Sequence, residues 1–295
     1  MKKKYKLTEE SISFNGKTLY RIESLRDFGT IKKGDKGGFI ESERNLSHEG
    51  HAWVSDNAKV FGNARVYGDA GITDDARVSG DAEVFGHAWI HDNASVYGNA
   101  KVYDNAWIHD NASVYGNAEV FGHAEAYEDG GVFDNAKVSG NAIVCGNASV
   151  SDNARVYEDA NVSGNAIVCG NTFVKNNARV FDNAKVSGNS CVCDNAWVFG
   201  NANVSGKALV SGNAKVSGDA HVCADEDYIV FKNWWSSLRY FTWTRSNNMW
   251  NVGCFYGTGE ELIKKAYKDS EKSGREYERV VKYVESILSD EKKYI

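Results

Sequence analysis

From His51 to Ala224 apolar side chains recur two apart and then four apart, and the stretch divides into 29 consecutive hexads with no insertion or deletion. Asn57–Gly62, Asn63–Gly68 and Asn213–Gly218 are typical copies. Position 4 is Val or Ile in every copy but one, where Ala126 stands, and position 2 is Ala in 26 copies. Position 1 is Asn in 19 copies, Asp in six, His in three and Lys at Lys207; position 6 is Gly in 16 and mostly Asp elsewhere. In an extended strand positions 2 and 4 point to one side while 3 and 5 point to the other. A β-branched residue at position 4 suits that backbone. Gly followed by Asn or Asp tolerates positive φ, so the chain can turn sharply every six residues. A helix is excluded, because this spacing makes no single helical stripe and recurrent Gly would weaken it.

Strands this short bury nothing alone. Stacked coils of three hexads enclose a Val/Ala interior within three flat parallel sheets. The period of 18 is visible directly, since His87–Asp104 and Asn105–Gly122 are nearly the same sequence. Twenty-nine hexads make nearly ten coils, roughly 46 Å at about 4.8 Å per coil. The predicted fold class is an all-β solenoid, a parallel β-helix over residues 45–224. It lies between a β-rich cap (1–44) and an aromatic-rich α+β unit (225–295). In the cap, Ser11–Phe14 and Thr18–Ile22 flank Asn15-Gly16, a hairpin signal. In the C-terminal unit, Tyr228–Trp235, Tyr240–Thr244 and Met249–Tyr256 read as strands. Capping-box sequences at Thr258 and Ser273 open two helices running to about Lys268 and Leu288.

Outward residues line up in columns 18 apart. One face carries Arg65, Glu83, Lys101, Glu119, Lys137 and Arg155, beside Tyr67, Phe85, Tyr103 and Phe121. A second carries Phe61, Tyr97, Tyr115 and Phe133; the third carries Trp53, Trp89, Trp107 and Trp197, with His91 and His109 adjacent. Stacked rings stabilise a parallel sheet, but rings on all three faces of the first five coils exceed what a solvated surface needs, and large exposed apolar patches mark interfaces. Trp53, Trp89, His91, Trp107, His109, Tyr97, Tyr115, Tyr103 and Phe121 are therefore the expected partner-binding residues.

The net charge of −6 argues against a phosphate-gripping surface, so no nucleic-acid partner is expected. No apolar run is long enough to cross a bilayer, and the broken segment Leu7–Phe14 does not read as a signal peptide, so none is expected. No membrane partner is expected, and the expected location is the cytoplasm. The six cysteines show neither CxxC pairs nor metal spacing and read as reduced thiols.

The hexad pattern resembles that of the hexapeptide-repeat proteins, the trimeric acyltransferase superfamily, and the resemblance implies a left-handed coil. The segments LYRIESLRDFGTIKKGDKGGFIESERNLSHEG and CFYGTGEELIKKA resemble a group of bacterial and prophage hexapeptide proteins. Superfamily enzymes use a His base and commonly a loop that leaves the coil to enclose substrate, and His51–Ala224 contains no such loop. Similarity to the γ-class carbonic anhydrases, which bind zinc through His, makes His87, His123 and Glu128 the candidate metal ligands. His at position 1 equally replaces Asn at a turn, as at His51. No catalytic residue and no cofactor are assigned. The favoured reading is a non-enzymatic binding protein, self-associating as dimer or trimer and directed by the prophage resemblance at a host defence or regulatory protein. The alternatives are an acyltransferase, a metal enzyme of the carbonic-anhydrase type, or a protein sequestering a small nucleotide signal.

Overall fold

A computed structural model describes residues 3–291. Each hexad contributes one two-residue strand, from Trp53–Val54 to His221–Val222, and each strand pairs in parallel with the strand 18 residues away. Three sheets result, and the interior is a single column of Ala and Val/Ile side chains with essentially no solvent exposure. Position 6 adopts left-handed φ in every hexad but the last, whether it is Gly, as at Gly98 (72°), or Asp, as at Asp92 (56°). A Cβ on Gly98 would stand 3.0 Å from Gly116 N, so glycine also allows close stacking of successive corners.

The Asn preference at position 1 has a cause that periodicity does not reveal. Asn99, Asn117, Asn135, Asn153, Asn171 and Asn189 form one continuous amide ladder, each Nδ2 donating to the next coil's Oδ1 at 3.0–3.4 Å. The aromatic columns stack as expected. Tyr67, Phe85, Tyr103 and Phe121 follow one another at 4.8–4.9 Å with rings parallel to within 3°.

The N-terminal segment extends one wall rather than standing apart. Strands β1 (Tyr5–Phe14) and β2 (Lys17–Ser24) form the expected hairpin, with Asn15 and Gly16 both at positive φ. β3 (Lys36–Ile40) pairs antiparallel with β2 and parallel with Lys59–Val60, giving a 13-stranded sheet. Gly37 and Gly38 permit this seating, since a Cβ on either would stand 2.5–2.6 Å from a coil carbonyl oxygen. Edge groups of the first coils are met by side chains: Asn45 Nδ2 donates to Ala64 O (2.9 Å) and Lys4 Nζ to Ala52 O (2.7 Å). At the other end Asp225, Thr242 and Ser246 accept the N–H groups of Leu209, Lys215 and His221 at 2.6–2.8 Å. Several backbone groups at both exposed edges are thus met by side chains.

The C-terminal unit has its own core of Trp235, Phe241, Trp243, Trp250, Leu262, Tyr277 and Val281. Three boundaries differ from the sequence reading. Met249–Tyr256 is not one strand, because Gly253 (φ 62°) turns the chain between Met249–Val252 and Phe255–Gly257. Helix α1 (Gly259–Asp269) starts at its Thr258 cap as expected. Helix α2 (Glu271–Glu291) starts earlier than Ser273, because Ser270 Oγ accepts the Ser273 N–H at 3.1 Å and does the capping. The strand at Tyr228 ends at Lys232, where the Asn233 side chain accepts from Ser236 N and closes a turn. No described helix is long and apolar enough to cross a membrane.

Candidate functional site

The wall bearing Trp53, Trp89 and Trp107 carries most of the His-rich chemistry. Its leading corner holds position-1 residues of successive coils, His51, Asp69 and His87; its trailing corner holds His91–Asp92 and His109–Asp110.

At the leading corner one carboxylate serves two imidazoles. Asp69 Oδ1 lies 3.2 Å from His51 Nδ1 and accepts the His51 N–H at 2.9 Å, while Asp69 Oδ2 lies 3.8 Å from His87 Nδ1. Gly71 follows in the column between Trp53 and Trp89, and the missing side chain leaves a floor over which the Trp89 ring leans. The opposite side is closed by the segment Phe28–Ile31, whose ends exchange two backbone hydrogen bonds of 2.9 and 3.0 Å. Together they bound a cleft of about 370 Å³ lined by His51, Asp69, Gly71, His87 and Trp89. The coil itself contains no insertion that could wall such a pocket. The N-terminal segment supplies the wall instead, folding back over the first coils.

The same fold-back removes Trp53 from the surface. Phe28 packs edge-on against it at 5.4 Å and Tyr5 at 6.3 Å, and it is only 6% exposed. Trp53 is therefore no docking residue for a partner. Behind it Lys4 is fully buried. Desolvation, then the neighbouring Arg26, pushes its ammonium down to about 8, with Asp69 opposing that shift. Phe61, also expected outside, is met edge-on by Phe14 at 5.6 Å.

The other candidate residues lie farther along the walls. Trp89 and Trp107 are 47% and 45% exposed and meet at 6.1 Å; Tyr97 is also exposed and stacks on Tyr115 at 4.8 Å. Tyr103 and Phe121 are half-buried members of the aromatic column on the charged face. The proposed metal set of His87, His123 and Glu128 is not brought together. His87 and His123 stand two coils apart on the leading corner, and Glu128 is on the trailing corner, accepting the Gly146 N–H at 2.7 Å. Among the described residues, the grouping whose ligand atoms come within 4.8 Å of one another is His91, Asp92 and His109. Asp69 and His51 were missed as site residues; the signal was their place, with His87, at position 1 of three successive coils.

The fold is a β-solenoid of six-residue repeats in about ten 18-residue coils, consistent with the left-handed β-helix that the resemblance to hexapeptide-repeat proteins implies. No family model matches the chain. It is similar to the uncharacterized acetyltransferase YdcK of Escherichia coli (strain K12), 34% identical over 79 residues, which is 24% of this chain and 24% of that protein. The match thus spans about a quarter of the relative's length. It overturns the expectation of a non-enzymatic, host-directed binding scaffold and favours the acyltransferase alternative. Hexapeptide-repeat β-helix proteins typically form trimers, which agrees with the expected self-association.

Proposed function

We propose that the protein is an acyltransferase, moving an acetyl group from a thioester donor to a hydroxyl or amine acceptor in the cleft beside His87. The observation that carries this reading is the Asp69–His87 pair facing a walled cleft, joined to the likeness to a protein named an acetyltransferase. His87 Nε2 accepts the acceptor's proton as the nucleophile attacks the thioester carbonyl carbon. The carbon–sulfur bond then breaks, and the proton passes to the leaving thiolate. Asp69 orients the imidazole through Nδ1; the 3.8 Å separation is of the kind that tightens when substrate is bound. Phe28–Ile31 and Trp89 exclude water from one side of the reacting atoms and favour an oriented complex.

The test is release of free thiol from acetyl-coenzyme A by the purified chain, across a panel of amino and hydroxyl acceptors. Acceptor-dependent release supports the reading; none with any acceptor, together with no calorimetric heat on adding the donor, refutes it.

Self-association belongs to the same proposal. Trp89 and Trp107 form an exposed pair next to the cleft, and burying each such ring against a second copy is favourable by about 1.5–3 kcal/mol. Trp89→Asp with Trp107→Asp is expected to shift the sedimentation-derived mass to that of a single chain. An unchanged mass would place the interface elsewhere.

A further inference from the structure

We propose that the trailing corner of the Trp-bearing wall is a divalent-cation site of zinc-like character, with His91 and His109 as its nitrogen ligands and Asp92 as its carboxylate ligand. Two independent features point there. The first is geometric. The imidazoles of His91 and His109 stack 4.9 Å apart at an interplanar angle of 1°, and Asp92 Oδ2 lies 2.8 Å from His91 Nδ1. Ligand atoms of the three residues lie within 4.8 Å of one another. Metal–ligand bonds of about 2.0–2.1 Å require donors no farther apart than about 4.2 Å, so a small rotation of the rings completes the contact. Two imidazoles and one carboxylate with further positions open is a borderline-soft set, which suits zinc, cobalt or nickel better than calcium or magnesium.

The second feature is electrostatic. Asp56, Asp74, Asp92, Asp110 and Glu128 occupy position 6 of five successive coils, so five carboxylates stack on one corner. Among the described residues none of the five has a Lys or Arg within ion-pair distance; Asp92 and Asp110 face His91 and His109, and each otherwise accepts only the backbone N–H of the next corner residue, at 3.4 and 3.2 Å. A column of like charges one coil apart is unfavourable, and a cation between its second and fourth members relieves it. Asp110, 3.2 Å from His109 Nδ1, adds a further negative charge beside the three ligands. Trp89 and Trp107, within 6.4 Å of the His91 ring, shield one side.

This site is separate from the leading-corner cleft and does not depend on acyl transfer. The test is titration of untagged, chelator-treated full chain with Co²⁺ and Zn²⁺, read by calorimetry and by the cobalt d–d absorption. Wild type is expected to bind one equivalent per chain with a nitrogen-ligand absorption band. His91→Gln and His109→Gln are each expected to weaken binding by at least about tenfold, as is Asp92→Asn. His87→Gln should bind as wild type. All four changes lie on the outer surface, and unchanged circular dichroism would confirm that each variant is folded. Failure of wild type to bind either ion, or wild-type affinity in both His91→Gln and His109→Gln, would overturn the proposal.

Discussion

His87→Ala is expected to lower the turnover of acyl transfer by about 10²–10⁴-fold while leaving the thermal midpoint unchanged. The side chain is 68% exposed on a corner and contributes nothing to the interior column, so its loss should not be felt by the fold. What disappears is the group proposed to take the acceptor's proton. Asp69→Asn is expected to have a smaller effect of the same sign, because it leaves the imidazole present but unoriented. His51 shares the carboxylate, so His51→Ala frees Asp69 for His87. If that variant instead loses as much activity as His87→Ala, the base is His51.

Val102→Asp is expected to abolish the folded tube. Val102 pairs with Val84 and Val120 and is wholly buried among alanine and valine side chains. An ionised carboxylate there has no partner and no water, at a cost of several kcal/mol, comparable to the whole stability of an ordinary domain. The adjacent residue gives the contrast. Lys101 points outward on the same strand and is exposed, so Lys101→Ser is expected to change stability by less than about 0.5 kcal/mol. Chemical denaturation of the pair reads the difference.

The coil was legible because its physics repeats. A Val at every sixth position, an Ala two before it and a Gly or Asp two after it specify the strand, its inward face and its corner, and the offset of 18 then specifies every neighbour. The columns of Tyr67 and Phe85, or of His91 and His109, follow from that arithmetic alone. What does not repeat was not legible. Nothing in the hexads says that Phe28–Ile31 returns to cover Trp53, and so exposure was wrongly expected there and a cleft was missed. The cleft's floor had a trace in the sequence, Gly71 standing where its column otherwise holds Trp53 and Trp89, but a lone glycine reads equally as a turn. The split at Gly253 was hidden for a related reason. In a segment rich in aromatic residues, strand propensity outweighs the single residue that lets the chain reverse. The function was harder still. A His at position 1 is a turn residue in His123 and a candidate base in His87, and only the carboxylate and the wall beside it separate the two.

The most direct test of the proposed acyl-transfer cleft is to fill it without touching the imidazoles. A Cβ at Gly71 would make ordinary contact with the Trp89 ring at 3.7 Å, so Gly71→Leu can be accommodated on the outer face while its side chain occupies the floor of the cleft. Thiol release from acetyl-coenzyme A should fall to background in this variant, with the thermal midpoint of wild type retained. Wild-type release by a folded Gly71→Leu chain would contradict the account, since the chemistry would then take place somewhere other than between His51, Asp69 and His87.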